Sequence, residues 1–203
     1  MKRLTAAVIA IAVIILSVKF TLNFKPLYYY DISSLNIAAN TYLSEDEIKS
    51  SYDYLIYYIN SNKDIEFNIP LLPSSLEGAI HFREVKEIFK ELDYLLYACG
   101  AIALFGLYSC IKKREFSFLK LSSNLILAIS AAVILPFIIN FDASFVIFHK
   151  LFFRNNYWLF DPATDPVINI LPEVFFFHCL IMIIACIVVS SSLLRLAYKK
   201  LNR

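Results

Sequence analysis

Two histidines carry most of the chemistry this chain can offer: His81, in the run HFREVK, and His149, in FHKLFFRNNYWLFDPATDP. Imidazole takes up and releases a proton near neutral pH, so two of them just outside apolar segments suit general acid–base work. Few other groups compete. The 203 residues hold three histidines in all, with no HExxH and no close Cys or His ligand pair, so nothing specifies a zinc site and no metal is expected. Three glycines in the whole chain leave no Gly-rich phosphate loop, so nucleotide use is not expected; the expected reaction needs no cofactor.

The elements that must position these residues follow from composition. Hydrophobic residues make up 59% of the chain and charged ones 18%, with a mean hydropathy of +0.63. That is too apolar for an ordinary soluble domain of this length. Crossing a bilayer takes about 20 mostly apolar residues in a helix, and four stretches qualify: 4–22, 92–111, 121–141 and 174–194. The expected fold is mainly α and integral to a membrane, with four transmembrane helices, a small α+β extracellular cap over 23–91 and an outer loop over 142–173. The first apolar run is expected to be a retained helix, because SVKFTLNFKPLYYY follows it without a small-x-small cleavage site. Lys19 can snorkel near a span end, and Asp93 reads as an interfacial cap. The four cysteines, Cys99, Cys110, Cys179 and Cys186, all fall inside spans and imply no disulfide framework.

Orientation follows from the basic residues beside the spans. Lys2, Arg3, Lys112, Lys113, Arg114, Lys120, Arg195, Lys199, Lys200 and Arg203 share one side with a single acid, Glu115, for +9; the other nine basic residues and sixteen acids give −7, and together these make the chain's +2. Both termini are therefore expected in the cytoplasm of a multi-pass cell-membrane protein. Because the basic clusters sit beside spans, topology accounts for them and no nucleic-acid partner is expected.

In the cap, Ser44 and Glu47 form a capping box, after which Ile48, Tyr52, Leu55, Ile56 and Ile59 recur at helical spacing. Tyr28–Tyr30 and Ile65–Ile69 are short runs that could be strands. From Ala79 the spacing of Ile80, Glu84, Val85, Ile88 and Phe89 predicts a helix running towards the second span, with a bend or tilt near Lys90–Asp93. In the outer loop, Phe145, Phe148, His149 and Phe152 fall at i, i+3, i+4 and i+7. That loop is dense in aromatic residues and suits the level of lipid headgroups.

HFREVKEIF followed further along by FHKLFFRNNYWLFDPATDPVINILPEVFF resembles the lipoprotein intramolecular transacylases of Gram-positive bacteria, four-span enzymes with an extracellular cap. The likeness in motif order and spacing runs from about His81 to Phe177, while the first span and cap agree in general plan. At Glu84 the chain departs from it, because the family more often has Asp there. The resemblance implies an intramolecular acyltransferase that moves the sn-2 acyl chain of a diacylglyceryl lipoprotein to the α-amino group of its N-terminal cysteine, leaving the lyso-form. It implies His81 and His149 as the catalytic pair at the outer face, and a diacylated lipoprotein in the bilayer as partner.

Other residues are candidates for supporting roles. Glu84 either serves an imidazole or is an exposed carboxylate near Arg83 or Lys86. Trp158 and Phe152 either wall the acyl chain or anchor the loop at the interface. Asp161 and Asp165 either touch substrate or make turns with the prolines that follow them. Tyr29 and Tyr30 are candidate donors to a developing oxyanion. His178, inside the fourth span, is either a proton carrier or bonded to a helix carbonyl. Two competing classes remain, a noncatalytic accessory protein that binds a partner through its cap and a small transporter. The smooth spans, broken only by Pro136, speak against the transporter.

Overall fold

The computed structural model of the chain describes residues 1–202, and these form helices α1 (Lys2–Asn23), α2 (Lys25–Ser34), α3 (Glu45–Asn60), α4 (Leu76–Lys112), α5 (Ser117–Ile139), α6 (Phe141–Phe152), α7 (Val167–Ile170) and α8 (Glu173–Leu201). They divide into two compact units: residues 1–21, 92–140 and 180 onward in one, residues 22–91 and 141–179 in the other. Helices α1, α4, α5 and α8 are each long and apolar enough to cross a membrane.

The first unit is a bundle built from the apolar lengths of those four helices. Ala6 and Ala10, one helical turn apart on α1, are fully buried. Small residues at such positions let neighbouring backbones approach. Around Ala10 pack Ile126 and Ile187, and around Ala6 pack Cys110, Phe118 and Leu119. Gly106 lies so close to α1 that a Cβ there would collide with the Thr5 side chain. Leu104, Phe105, Tyr108 and Ile139 point outward, as expected where the surroundings are lipid rather than water. The polar contacts are few but matched. Ser123 and Ser191 share a buried hydrogen bond of 2.8 Å, and Lys19 and Asp93 pair at 2.6 Å, so these two charges neutralise one another.

The second unit is organised by α3. Ser44 Oγ accepts from the Glu47 amide while the Glu47 carboxylate accepts from the Ser44 amide, closing the capping box. The stripe Ile48, Tyr52, Leu55, Ile56 and Ile59 is buried. Tyr52 stacks on Tyr28 of α2 with centroids 3.8 Å apart, and both meet the edge of Phe175 at the start of α8. Tyr28 also donates to the Ile170 carbonyl at 2.6 Å, tying α2 to α7.

The expected α+β cap is corrected to an all-helical one: among the described residues there is no strand. Tyr28–Tyr30 lie in α2, which Pro26 starts at its first turn, where a missing amide and a fixed φ cost nothing. Tyr28 and Ile32 at i, i+4 turn inward and Tyr30 stays 70% exposed, a helical pattern that overrides the β preference of tyrosine. Ile65–Ile69 is irregular and joins no ladder. Its backbone is satisfied instead by the Tyr54 hydroxyl, which donates to the Glu66 carbonyl and accepts from the Asn68 amide.

Helix α4 is uninterrupted through Lys90–Asp93 and contributes to both units. Its first part, residues 76–91, carries seven charged side chains and lies outside the apolar run that begins at Leu92.

A candidate acid–base site among aromatic rings

His81 stands in the second turn of α4 and is 6% exposed. His149 stands near the end of α6, and the two ring centroids are 6.0 Å apart with planes inclined by 33°. The rest of the enclosure is aromatic. Phe153 and Phe160 meet His81 edge to face at 4.6 and 5.4 Å. Phe145 and Trp158 cover His149 at 4.1 and 4.7 Å, and Phe153 touches it as well at 5.6 Å. A stack of Phe67, Phe82 and Phe160 supports the wall from behind.

Helix geometry places these side chains. A carbonyl can only accept, so in the 2.7 Å contact between His149 Nδ1 and the Phe145 carbonyl one turn back it is Nδ1 that carries the proton. The neutral ring then has its lone pair on Nε2. His81 differs: its Nδ1 is buried and has no hydrogen-bond partner. Burial, and then the neighbouring His149, hold His81 well below the usual imidazole range, at about 4. Burial also lowers His149, against an opposing pull from its Phe145 hydrogen bond. Both rings are therefore neutral at pH 7, which is the form that can accept a proton.

The loop after α6 is fastened at two points. Asn155 donates its amide to Glu84 Oε1 at 2.8 Å and accepts the Trp158 indole N–H on its carbonyl at 3.1 Å, so it holds the indole that covers His149. Asp165, 4% exposed, receives the Ser75 amide on Oδ1 at 2.8 Å and the Thr164 hydroxyl on Oδ2 at 2.9 Å. Ser75 Oγ in turn accepts from the Gly78 amide. Asp165 thus clasps the loop to the start of the helix that bears His81, and Gly78 leaves room for it, because a Cβ there would collide with the Asp165 carboxylate.

Phe152 is half-exposed and its ring meets that of Phe148, tilted by 40° at 4.6 Å. Asp161 is exposed and caps a turn by accepting the Ala163 amide. Tyr29 donates to Asp53 at 2.6 Å, and Lys25 joins the same carboxylate; burial and Asp53 push the Tyr29 phenol up to about 12. His178 bonds no helix carbonyl: its Nδ1 lies 2.9 Å from both oxygens of Asp31, a carboxylate with no exposure at all. Three contributors escaped the sequence reading: Phe153, Phe160 and Asn155. Phe153 follows the last residue of α6, so helical spacing carries no signal for it, and Asn155 matters only through a bond to a residue 71 positions away. Among the described residues no group of three or more His, Cys, Asp or Glu side chains is placed to hold a metal ion.

Apolar helices of membrane length together with paired neutral imidazoles define a helical, membrane-integral protein equipped for proton transfer. A family model, lipoprotein intramolecular transacylase Lit, matches residues 3–176. The structure superposes on the in meso structure of the membrane-integral lipoprotein intramolecular transacylase Lit from Bacillus cereus with a TM-score of 0.94 and 39% identity, covering 98% of this chain and 93% of that one. Two further structures of the Bacillus cereus protein, with one histidine mutated to alanine or to arginine, give TM-scores of 0.91 and 0.90 at the same identity and cover 98% of this chain, with 90% and 89% of their own lengths covered. No curated protein matches. The chain belongs to the Lit family of lipoprotein intramolecular transacylases and is an integral membrane enzyme.

Proposed function

We propose that this enzyme moves the sn-2 acyl chain of a diacylglyceryl lipoprotein to the α-amino group of its own N-terminal cysteine, with His81 and His149 as the catalytic pair. The observation that carries the proposal is the convergence of two neutral imidazoles, His81 buried and His149 partly so, 6.0 Å apart inside one aromatic enclosure. An accessory protein that binds through its cap has no use for such a pair.

The ring closed by attack contains the amine nitrogen, Cα, Cβ and Sγ of the cysteine, two glyceryl carbons, the ester oxygen and the carbonyl carbon. Both reactants belong to one molecule, so the task is to fold the headgroup into a reactive shape. Holding that shape is worth several of the ~7–11 kcal/mol that orientation can supply. The rigid walls of Phe153, Phe160, Phe145 and Trp158 suit it.

An α-amino group with a pKa of about 7.7–8.0 is mostly ammonium at neutral pH and must lose a proton before it can attack. His149 is the base, because its Nδ1 proton is committed to the Phe145 carbonyl and its Nε2 lone pair is free. Attack gives a tetrahedral oxyanion. Its collapse breaks the bond to the glyceryl oxygen, which takes a proton from the imidazole pair and leaves as an alcohol, while the nitrogen gives up a second proton to the pair and becomes an amide. Of the three ammonium protons one stays on the amide, one ends on the alcohol and one passes from the imidazoles to solvent. His81, in contact with His149 and neutral, hydrogen-bonds the reacting ester and completes the proton path.

The basic residues clustered beside the apolar runs support cytoplasmic termini and a site that opens at the outer face of the cell membrane. The test is mass spectrometry of a lipoprotein co-expressed with wild type, His81→Ala or His149→Ala. The expected outcome is N-acyl lyso-form with wild type and near-complete loss of it with either variant at normal membrane levels. Unchanged product from both variants refutes the assignment.

A further inference from the structure

We propose that Glu84 binds the α-ammonium group of the substrate's N-terminal cysteine through its free carboxylate oxygen; this deepens the proposed function and rests on it. Glu84 is held by one oxygen only. Oε1 accepts the Asn155 amide at 2.8 Å, whereas Oε2 is buried without any partner. A carboxylate can accept about four hydrogen bonds, and a buried acceptor left empty costs roughly 1–3 kcal/mol. Such an oxygen is explained if a ligand brings the missing donor.

Among the described residues no cation does so. Lys86, two residues on, donates to the Lys63 carbonyl and lies over the Tyr58 ring. Arg83 faces a separate groove that Lys86 and Tyr58 also line. The proposed substrate carries one positive charge at its reacting end, the ammonium itself.

The position fits as well. His81 is one turn earlier on α4, a spacing that brings Cβ atoms to about 5–6 Å, and its buried Nδ1 is likewise without a partner. From Glu84 the contacts run on through Asn155 to Trp158 and from Trp158 to His149, so Glu84 is linked to the loop that covers the base. A carboxylate alone would favour the unreactive ammonium. Glu84 therefore recognises and places the group, and His149 must take its proton. Once the nitrogen is an amide the charge is gone, so Glu84 favours substrate over product and assists release.

The experiment uses the full-length enzyme in lipid nanodiscs and two non-reactive peptides. One carries an ether-linked dialkylglyceryl group on its N-terminal cysteine; the other has 3-mercaptopropionyl in place of cysteinyl and so lacks only the amine. At pH 7 wild type should bind the amine peptide at least about tenfold more tightly, the scale of a charge-assisted hydrogen bond. Glu84→Gln, which keeps the shape and an acceptor for Asn155, should erase that preference, and Glu84→Asp should keep part of it. Equal binding of the two peptides by wild type, or an undiminished preference in Glu84→Gln, overturns the proposal. Conversion of a diacyl ester substrate is followed in parallel. Absence of lyso-form from wild type defeats the acyl-transfer reading, whereas conversion without amine preference defeats only the role of Glu84.

Discussion

His178 and the pair His81–His149 lie in the same unit, and they differ in what faces the ring. His178 gives Nδ1 to both oxygens of a fully buried Asp31, which also accepts from Ser34. His81 and His149 have aromatic rings on their faces and a single backbone carbonyl between them. An imidazole matched to a buried carboxylate is committed to holding structure, because without it a buried acceptor loses its donor. Imidazoles wrapped in rings are kept neutral by desolvation and retain an open nitrogen. Burial alone does not separate a structural histidine from a reactive one; the partner does.

The sharpest test of that contrast exchanges the roles. Replacing His149 by Ala should cut product formation by ~10²–10⁴-fold or more and shift the thermal midpoint only slightly, as read by lipoprotein mass spectrometry beside a melt in detergent. His178→Ala should do the opposite. It leaves the buried Asp31 with only its Ser34 hydrogen bond and should lower stability by roughly 1–3 kcal/mol, while the molecules that remain folded turn over normally. If His178→Ala abolishes turnover at full stability, the contrast is broken.

Titration sharpens it further. In the unfolded chain His81 has an ordinary pKa near 6.5, and in the folded protein it is held at about 4. Between these values the unfolded chain binds the extra proton, so the stability that neutral His81 permits is complete above about pH 6.5 and lost as pH falls towards 4. The slope should approach about 1.4 kcal/mol per pH unit. Chemical denaturation at pH 5 and pH 7 should show it in wild type and find it reduced in His81→Leu; an equal slope in both would mean that another group titrates there.

The smallest effect concerns the clasp. Gly78→Ala drives a methyl group into the Asp165 carboxylate, and overpacking of this kind costs about 1–3 kcal/mol. Because Asp165 joins the loop to the helix that bears His81, the loss in kcat should exceed what the folded fraction explains. A variant that keeps wild-type turnover per folded molecule would show the clasp to be structural only.

Much of this was legible in one dimension. The four apolar runs are long enough that hydropathy alone defines them, and in α3 the Ser44–Glu47 box and the stripe from Ile48 to Ile59 are written at 3.6-residue spacing. Such features depend on neighbours within a few positions. Tyr28–Tyr30 misled for the opposite reason: tyrosine favours strands in isolation, but Pro26 and the inward turn of Tyr28 and Ile32 against α3 and Phe175 decide for helix. His178 looked like an isolated ionisable group because its partner, Asp31, is 147 residues away.

Local sequence thus determined that the chain is a helical membrane protein, and the spelling of its two histidine motifs determined the resemblance. Only the tertiary structure decided that His81 and His149 share one aromatic enclosure, that Phe153 and Asn155 belong to it, that Asp165 is a clasp, and that His178 is held by Asp31. The physical reason is range. Hydropathy and helical period act over one or two turns, whereas a pKa, a free lone pair or an unpartnered carboxylate oxygen is set by groups that meet only when distant segments pack.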